Sequence, residues 1–415
     1  MINFRKEQLD ILDYKSGVMA IPSVPGSGKT FILTHLVLKL HKNLNPKKKI
    51  LLLTYMNSSV ENFYTRLKTL DKNLDNIHIK TIHKFSLDLI KENINFLNIS
   101  SDFSLIDSVS HNRLVNDIFK IWFLENKDKF SIFFKNNSYN SEFQDDFYIN
   151  LKFSMQKFIS TAKNYGLSSE LISKKILSIE ENKVLDLSNS FYEVYQNKLK
   201  ELNYLDYDDL LYFAYKLLKN QESIRAYYQN FYEYILEDEA QDSNLLQNKI
   251  VALITNKNLV KVGDSNQNIT GTFTLSSPKL FRNFCAKTPC TMSLNTSYRS
   301  SKNIIDFSNF FLKYTSLKHP CLNARKALKM NFMHLNELEL GRSAESDKNK
   351  IRAYYAEYFE EEILICLKKV KAFKKKFPEK TIGLASFFCG KRIIWTCIIV
   401  KSVILRKVRC LRVNY

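Results

Sequence analysis

The stretch Ser23-Val-Pro25-Gly26-Ser27-Gly28-Lys29-Thr30 constrains this chain more than any other. An apolar run, Val18 to Ile21, precedes it, and Phe31 to Leu40, apolar at helical spacing, follows it. Strand, glycine-rich loop and helix in that order build a phosphate cradle. Gly26 and Gly28 permit the tight turn that brings backbone N–H groups onto phosphate oxygens. The N-terminus of the following helix adds a dipole that favours an anion. Lys29 can reach β and γ phosphates, and the Thr30 hydroxyl suits Mg²⁺. Ser23 stands where the strict pattern has glycine. The competing reading is a strand-to-helix turn that binds nothing.

The formal net charge of +20 over 415 residues points to a polyanionic partner, nucleic acid before membrane. A lysine-rich solvated surface is the plainer alternative. No apolar run is long enough to span a bilayer, and the charged, amphipathic start from Met1 to Leu12 is unlike a signal peptide. The seven cysteines all lie at or beyond Cys285 with scattered spacing. That argues against a disulfide framework or a zinc site and leads us to expect a cytoplasmic protein.

Apolar runs at Lys49–Thr54, Ile77–Thr81, Tyr232–Glu237 and Asn258–Val262 alternate with amphipathic segments, the signature of a parallel sheet with crossover helices. Between about Asp107 and Tyr192, glycine nearly vanishes and aromatics recur at helical spacing, which predicts a helical insertion. The fold class expected is α/β. The division expected is a sheet domain from residues 1–90 and 190–275, an insertion over 91–189, a further α/β block over 276–386 and a tail over 387–415. The basic run Lys368 to Lys376 fits a solvated helix face or a nucleic-acid contact.

Further motifs carry chemistry. Tyr234-Ile-Leu-Glu-Asp238-Glu239-Ala-Gln241-Asp242 ends an apolar strand in adjacent carboxylates. Asp238 suits Mg²⁺, and Glu239 suits proton abstraction from an attacking water. Gln267, in Gly263-Asp264-Ser-Asn-Gln267, fits a γ-phosphate sensor or an ordinary turn. In Leu294-Asn-Thr-Ser-Tyr298-Arg299-Ser300, Tyr298 could stack on a base and Arg299 could stabilise transition-state charge. Gln8, in Phe4-Arg-Lys-Glu-Gln8, could read adenine through its amide, or lie on the surface.

In this order and spacing, the motifs resemble those of the UvrD/Rep-type family of superfamily 1 DNA helicases. Gln8 resembles the adenine-reading Q motif, Ser23 to Thr30 motif I, Leu53-Thr54-Tyr55-Met-Asn57 motif Ia, and Thr81-Ile-His83-Lys-Phe85 motif Ib. Asn203-Tyr-Leu-Asp206-Tyr-Asp208-Asp209-Leu-Leu is similar to the segment before motif II, and Asp238 to Asp242 to motif II itself. Gly263 to Gln267 resembles motif III, and Tyr298-Arg299-Ser300 motif IV. The resemblance covers about residues 1 to 386. It implies a RecA-like P-loop sheet with a helical insertion and a partial second RecA-like domain. It implies ATP with Mg²⁺, and ATP-driven movement on single-stranded DNA or at a single-strand/duplex junction, usually 3′ to 5′. Lys29, Glu239, Gln267 and Arg299 would be catalytic. Gln8, Ser23, Pro25, Gly26, Ser27, Gly28, Lys29, Thr30 and Tyr298 would hold the nucleotide, and Thr30 and Asp238 the metal. Tyr55, Asn57, His83 and Phe273 would face the strand. For Tyr55 and His83, core packing and a helix-start histidine are the alternatives.

The chain departs from the family after motif III, which runs on as Ile269-Thr270-Gly271-Thr272-Phe273 without the usual arginine. Thr272 takes the place of the usual stacking aromatic, and Phe273 could substitute for it. Motifs V and VI do not appear. Beyond Ser386 the chain becomes free of Asp and Glu and carries cysteines. We therefore expect a truncated or frameshifted helicase, and hold beside it a second reading, a remnant that binds ATP and DNA without turnover.

Overall fold

Strands that read as unbroken apolar runs are buried on both faces, as a parallel sheet covered by helices on each side requires. The computed structural model describes residues 4–130, 141–176, 183–268, 275–328, 331–335, 354–379, 382–389 and 392–398. In chain order the first elements are α1 (Lys6–Leu12), β1 (Val18–Pro22), α2 (Lys29–Lys42), β2 (Lys49–Thr54), α3 (Asn57–Leu70), β3 (Ile77–Thr81) and α4 (Ile82–Glu92). After the insertion come β6 (Tyr232–Glu237), α12 (Leu245–Ile254), β7 (Asn258–Gly263), α13 (Pro278–Lys287) and β8 (Cys290–Thr291). These strands form a six-stranded sheet in the order β3-β2-β6-β7-β1-β8, and every pairing is parallel.

The period-two alternation of a strand divides the core in two. On β2, Ile50 and Leu52 join a cluster with Ile11 of α1, Ile32, Leu36 and Val37 of α2, and Phe63 of α3. Leu51 and Leu53 face the other way, into a cluster with Leu89 of α4 and Leu246 and Ile250 of α12. The expected mixed α/β, RecA-like architecture is the one observed.

The insertion has its own elements: β4 (Ser104–Leu105), α5 (Ser108–Glu125), α6 (Lys127–Phe130), α7 (Ser141–Asn164), α8 (Ser169–Ile176), α9 (Lys183–Glu201) and β5 (Tyr204–Leu205). The parallel pair β4–β5 joins its two ends. The core is aromatic: Phe191 packs edge-on against Phe119 at 5.5 Å and Trp122 at 5.1 Å between ring centroids, geometry that ring quadrupoles favour. Two helices, α10 (Tyr207–Asn220) and α11 (Glu222–Phe231), lead back to β6.

A buried ionic knot fastens the insertion to α10. Lys163 of α7 lies 2.7 Å from Asp206 and 2.7 Å from Asp209, and the Tyr195 hydroxyl donates to Asp206 at 2.7 Å. Burial would lower the Lys163 ammonium, but Asp206 and Asp209 outweigh burial and raise it. Burial opposes ionisation of Asp206 too, yet Lys163 holds it below the usual carboxylate range. Burial and then the Asp206 charge push Asp209 up to about 7. Asn164 carries the knot onward: its amide donates to Asp208 at 3.2 Å, and its oxygen accepts from Asn244, which caps α12.

The strand pair β9 (Thr296–Ser297) and β10 (His334–Leu335) is also parallel, and α14 (Lys302–Lys318) and α15 (Leu322–Ala327) lie between its strands in sequence. The described residues between 354 and 398 belong to a separate compact unit. Its helix α16 (Phe359–Lys376) starts with Glu360, Glu361 and Glu362 and ends with Lys374, Lys375 and Lys376, which complements the helix dipole at both ends. Its strands β11 (Gly383–Cys389) and β12 (Arg392–Ile398) pair antiparallel. The tail beyond residue 398 lies outside the described residues. No helix among the described residues is long and apolar enough to cross a membrane.

Candidate nucleotide site and strand-binding edge

Parallel strands end on the same side, so the loops after β1, β7, β6, β2 and β3 share the carboxyl edge of the sheet. The glycine-rich loop leaves β1 there and enters α2. Gly26 has φ +75° and Gly28 φ +91°, a conformation that side chains rarely adopt. A Cβ on Gly26 would lie 2.6 Å from Arg299 Cβ and 2.8 Å from Ser297 Oγ, so the segment after β8 packs directly on the loop. Backbone bonds fix this contact: Val24 N–H donates to Leu294 O and Tyr298 N–H to Gly26 O, both at 2.9 Å. Ser23, in place of the expected glycine, donates its hydroxyl to Gly263 O at 3.0 Å and so ties the loop to β7.

The acid pair follows β6. Asp238 is buried, and burial followed by the neighbouring Glu239 charge pushes its carboxyl up to about 7. Its Oδ1 has no hydrogen-bond partner among the described residues, and neither does the buried Ser27 Oγ of the loop. Glu239 sits in the left-handed region at φ +52°, a strained placement of the kind found at functional sites. Its Oε2 lies 2.8 Å from Lys29 Nζ and accepts from Gln241 Nε2 at 2.8 Å. The Gln241 oxygen accepts from Asp264 N–H at 2.9 Å, and Asp264 accepts from Gln267 Nε2 at 2.8 Å. Burial raises Asp264 as well. A Cβ on Gly263 would come 2.5 Å from the Gln241 oxygen, so the glycine lets motifs II and III meet. Lys29, Asp238, Glu239 and Gln267 therefore converge, as their sequence positions alone do not show. An orphaned buried carboxylate oxygen, an orphaned hydroxyl and a loop of N–H groups at a helix start fit a triphosphate with Mg²⁺.

Gln8 is buried on α1, and its amide nitrogen lies 3.6 Å from where a Cβ of Gly28 would be. Its amide oxygen accepts from Arg5 N–H at 3.1 Å. Tyr298 carries the Arg5 guanidinium over its ring, 4.1 Å from the centroid. Arg299 is exposed beside Gly26. The sequence reading gave no role to Arg5 or to Gln241. Gln241 stood inside a quoted motif, so its position was legible even though its bridging role was not.

Tyr55 and His83 follow neighbouring strands whose ends are in register, Thr54 opposite Thr81. Tyr55 is half-buried, Asn57 is exposed at the start of α3, and His83 is half-buried in the first turn of α4. Burial lowers His83, so its imidazole is neutral at pH 7. Its ring packs edge-on against Tyr207, 57% exposed, with centroids 6.0 Å apart. Tyr207 was missed, although it lies in the quoted segment before motif II. Phe273, with the rest of 269–274, lies outside the described residues.

A parallel α/β core with a glycine-rich loop after one strand and a buried acid pair after another defines a P-loop nucleotide-binding protein. The chain belongs to the UvrD/REP helicase N-terminal domain family, which matches residues 4–289 and is the family its motifs resemble. It is similar to the ATP-dependent DNA helicase PcrA of Staphylococcus epidermidis, 28% identical over 326 residues that cover 77% of this chain and 41% of that protein. The PcrA of Staphylococcus aureus is 27% identical over 325 residues, 76% of this chain and 40% of that protein. The chain thus spans about two-fifths of the length of these relatives.

Proposed function

We propose that the chain hydrolyses ATP and couples hydrolysis to movement on single-stranded DNA, 3′ to 5′, opening duplexes at single-strand/duplex junctions. The observation that carries this reading is the cluster of Lys29, Asp238 and Glu239 on the same sheet edge as Tyr55 and His83. The relatives' printed name, ATP-dependent DNA helicase, supports it.

The loop N–H groups and Lys29 bind the β and γ phosphates. Thr30 and Asp238 would hold Mg²⁺, which neutralises charge developing on the phosphates. The γ-phosphate competes with Glu239 for Lys29 Nζ, so substrate binding itself frees the Glu239 carboxylate to take the proton of the attacking water. Gln241 keeps that carboxylate oriented through its bond to Oε2. Gln267 senses the γ-phosphate beside Asp264, and Arg299 supplies positive charge at the transition state. Asp238 N–H donates to Leu53 O at 2.9 Å, one residue before Thr54 and two before Tyr55. A shift of the acid pair therefore reaches the strand-binding edge through a single hydrogen bond. The strand contacts are stacking and neutral, with no base-specific readout.

The test is ATP hydrolysis by the purified chain, with and without single-stranded DNA, with Lys29→Ala as the blank. DNA-stimulated turnover that the substitution removes is expected. Turnover equal to the blank, with ATP and DNA still bound, would overturn this reading and leave a protein that holds both ligands and moves neither.

A further inference from the structure

Arg5 reaches two segments that lie far from it, and from each other, in sequence. Its Nη2 donates to Ser27 O of the glycine-rich loop at 2.9 Å, and Nη1 donates to Thr296 O of β9 at 3.1 Å. It forms an ion pair with Glu7, and its guanidinium carbon stands 4.1 Å from the Tyr298 ring centroid. Glu7 in turn accepts the N–H of Asn295 at 3.1 Å. The Arg5 side chain is only 14% exposed. A planar fork can donate along its rim to carbonyls while its face lies on a ring, which an ammonium cannot do. Arg5 thereby locks β9, which Tyr298 follows, to the glycine-rich loop, one helical turn from Gln8. Its Nη donors are taken up by two main-chain carbonyls and the Glu7 carboxylate, which leaves the phosphates to the loop itself.

We propose that Arg5 is a nucleobase-positioning residue: it fixes the plane of the Tyr298 ring, and the distance of that ring from the phosphate loop, so that a purine whose phosphates lie on the loop meets the face of the ring opposite Arg5. The proposal rests on the nucleotide reading of the loop. It concerns the base end of the ligand alone, because Arg5 acts through Tyr298.

The test compares the affinity of the whole chain, with Mg²⁺, for a non-hydrolysable ATP analogue and for inorganic tripolyphosphate by titration calorimetry. Arg5→Ala should weaken the ATP analogue about 3- to 10-fold, the loss of one partly buried cation–π contact, and leave tripolyphosphate within about twofold. Added to Tyr298→Leu, Arg5→Ala should cost nothing more, since both act on one platform. Arg5→Lys keeps the charge without the planar fork and should fall on the same side as Arg5→Ala. It carries the comparison if the alanine variant does not fold. Equal losses for both ligands, no loss for the ATP analogue, or full additivity with Tyr298→Leu would overturn the proposal. If the unmutated chain binds neither ligand, the nucleotide reading falls and the proposal with it. If it binds tripolyphosphate as tightly as the ATP analogue, only the base site falls.

Discussion

Lys29 Nζ and Glu239 Oε2 lie 2.8 Å apart, so the cation proposed to bind phosphate and the carboxylate proposed to activate water neutralise each other. Either partner alone should therefore disable turnover in a different way. Lys29→Ala should cost about 10²-fold or more in kcat and also weaken ATP binding, because a preorganised charge is lost. Glu239→Gln should lower kcat by about 10²- to 10⁴-fold while ATP still binds. Steady-state hydrolysis beside direct ATP binding separates the two. Loss of binding in Glu239→Gln would remove Glu239 from the role of base.

Gly26→Ala places a methyl 2.6 Å from Arg299 Cβ in a backbone of φ +75°. Loop and Arg299 segment cannot both stay in place. The expected outcome is a folded protein with a KM for ATP raised at least about tenfold, equivalent to about 1.4 kcal/mol. An unchanged KM would mean that the loop does not touch nucleotide.

Lys163 is held between two buried carboxylates, so Lys163→Met should cost about 3–5 kcal/mol of stability near neutral pH. The pH dependence has a definite sign. Lys163 is raised, so its contribution is complete below its unfolded value and fades only in strong alkali. Asp206 is lowered, so its contribution is present above the ordinary carboxylate value and fades in acid. Without the cation, both acids must take up protons to stay buried. The variant should therefore lose stability as pH rises from 5 to 8, as read by denaturant midpoints. A pH-independent deficit would contradict this account of the knot.

His83 is neutral at pH 7 because burial lowers it. His83→Ala should weaken single-stranded DNA by about 1–3 kcal/mol, the worth of a stacking contact. The log–log salt slope of binding should stay unchanged, since no phosphate charge is neutralised. A slope smaller by about 0.7 would mark an ionic contact instead.

Much of this was legible in the sequence because the signals are local. The apolar runs at Lys49–Thr54 and Tyr232–Glu237 became β2 and β6 with the same bounds. Strand, glycine loop and helix follow one another, so the loop at Ser23 to Thr30 needs no tertiary knowledge to recognise. What escaped depends on contacts between distant residues. Lys163 sits in an amphipathic helix, where a lysine reads as surface, and its partners come 43 and 46 residues later. Arg5 lies beside a quoted motif, but its meaning appears only when Thr296 and Tyr298 fold back onto it. The strand β8, Cys290–Thr291, has only two residues. Only pairing with β1 defines so short a strand.

The parallel bridge between Ser23 and Leu294 has a mechanical consequence. After passing through the whole insertion, the chain returns to lie beside the place where the phosphate loop begins. Tyr298 and Arg299 hang from that same edge, through Val24 to Leu294, Ser297 to Pro25 and Tyr298 to Gly26. The glycine-rich loop and the segment that carries Tyr298 and Arg299 are thus fastened to each other by hydrogen bonds, and under the proposed function the base platform and the phosphate cradle would be one piece. If the proposed motor cycle swings other parts of the protein over this piece, the hinge would fall beyond Ser300, where these bonds end.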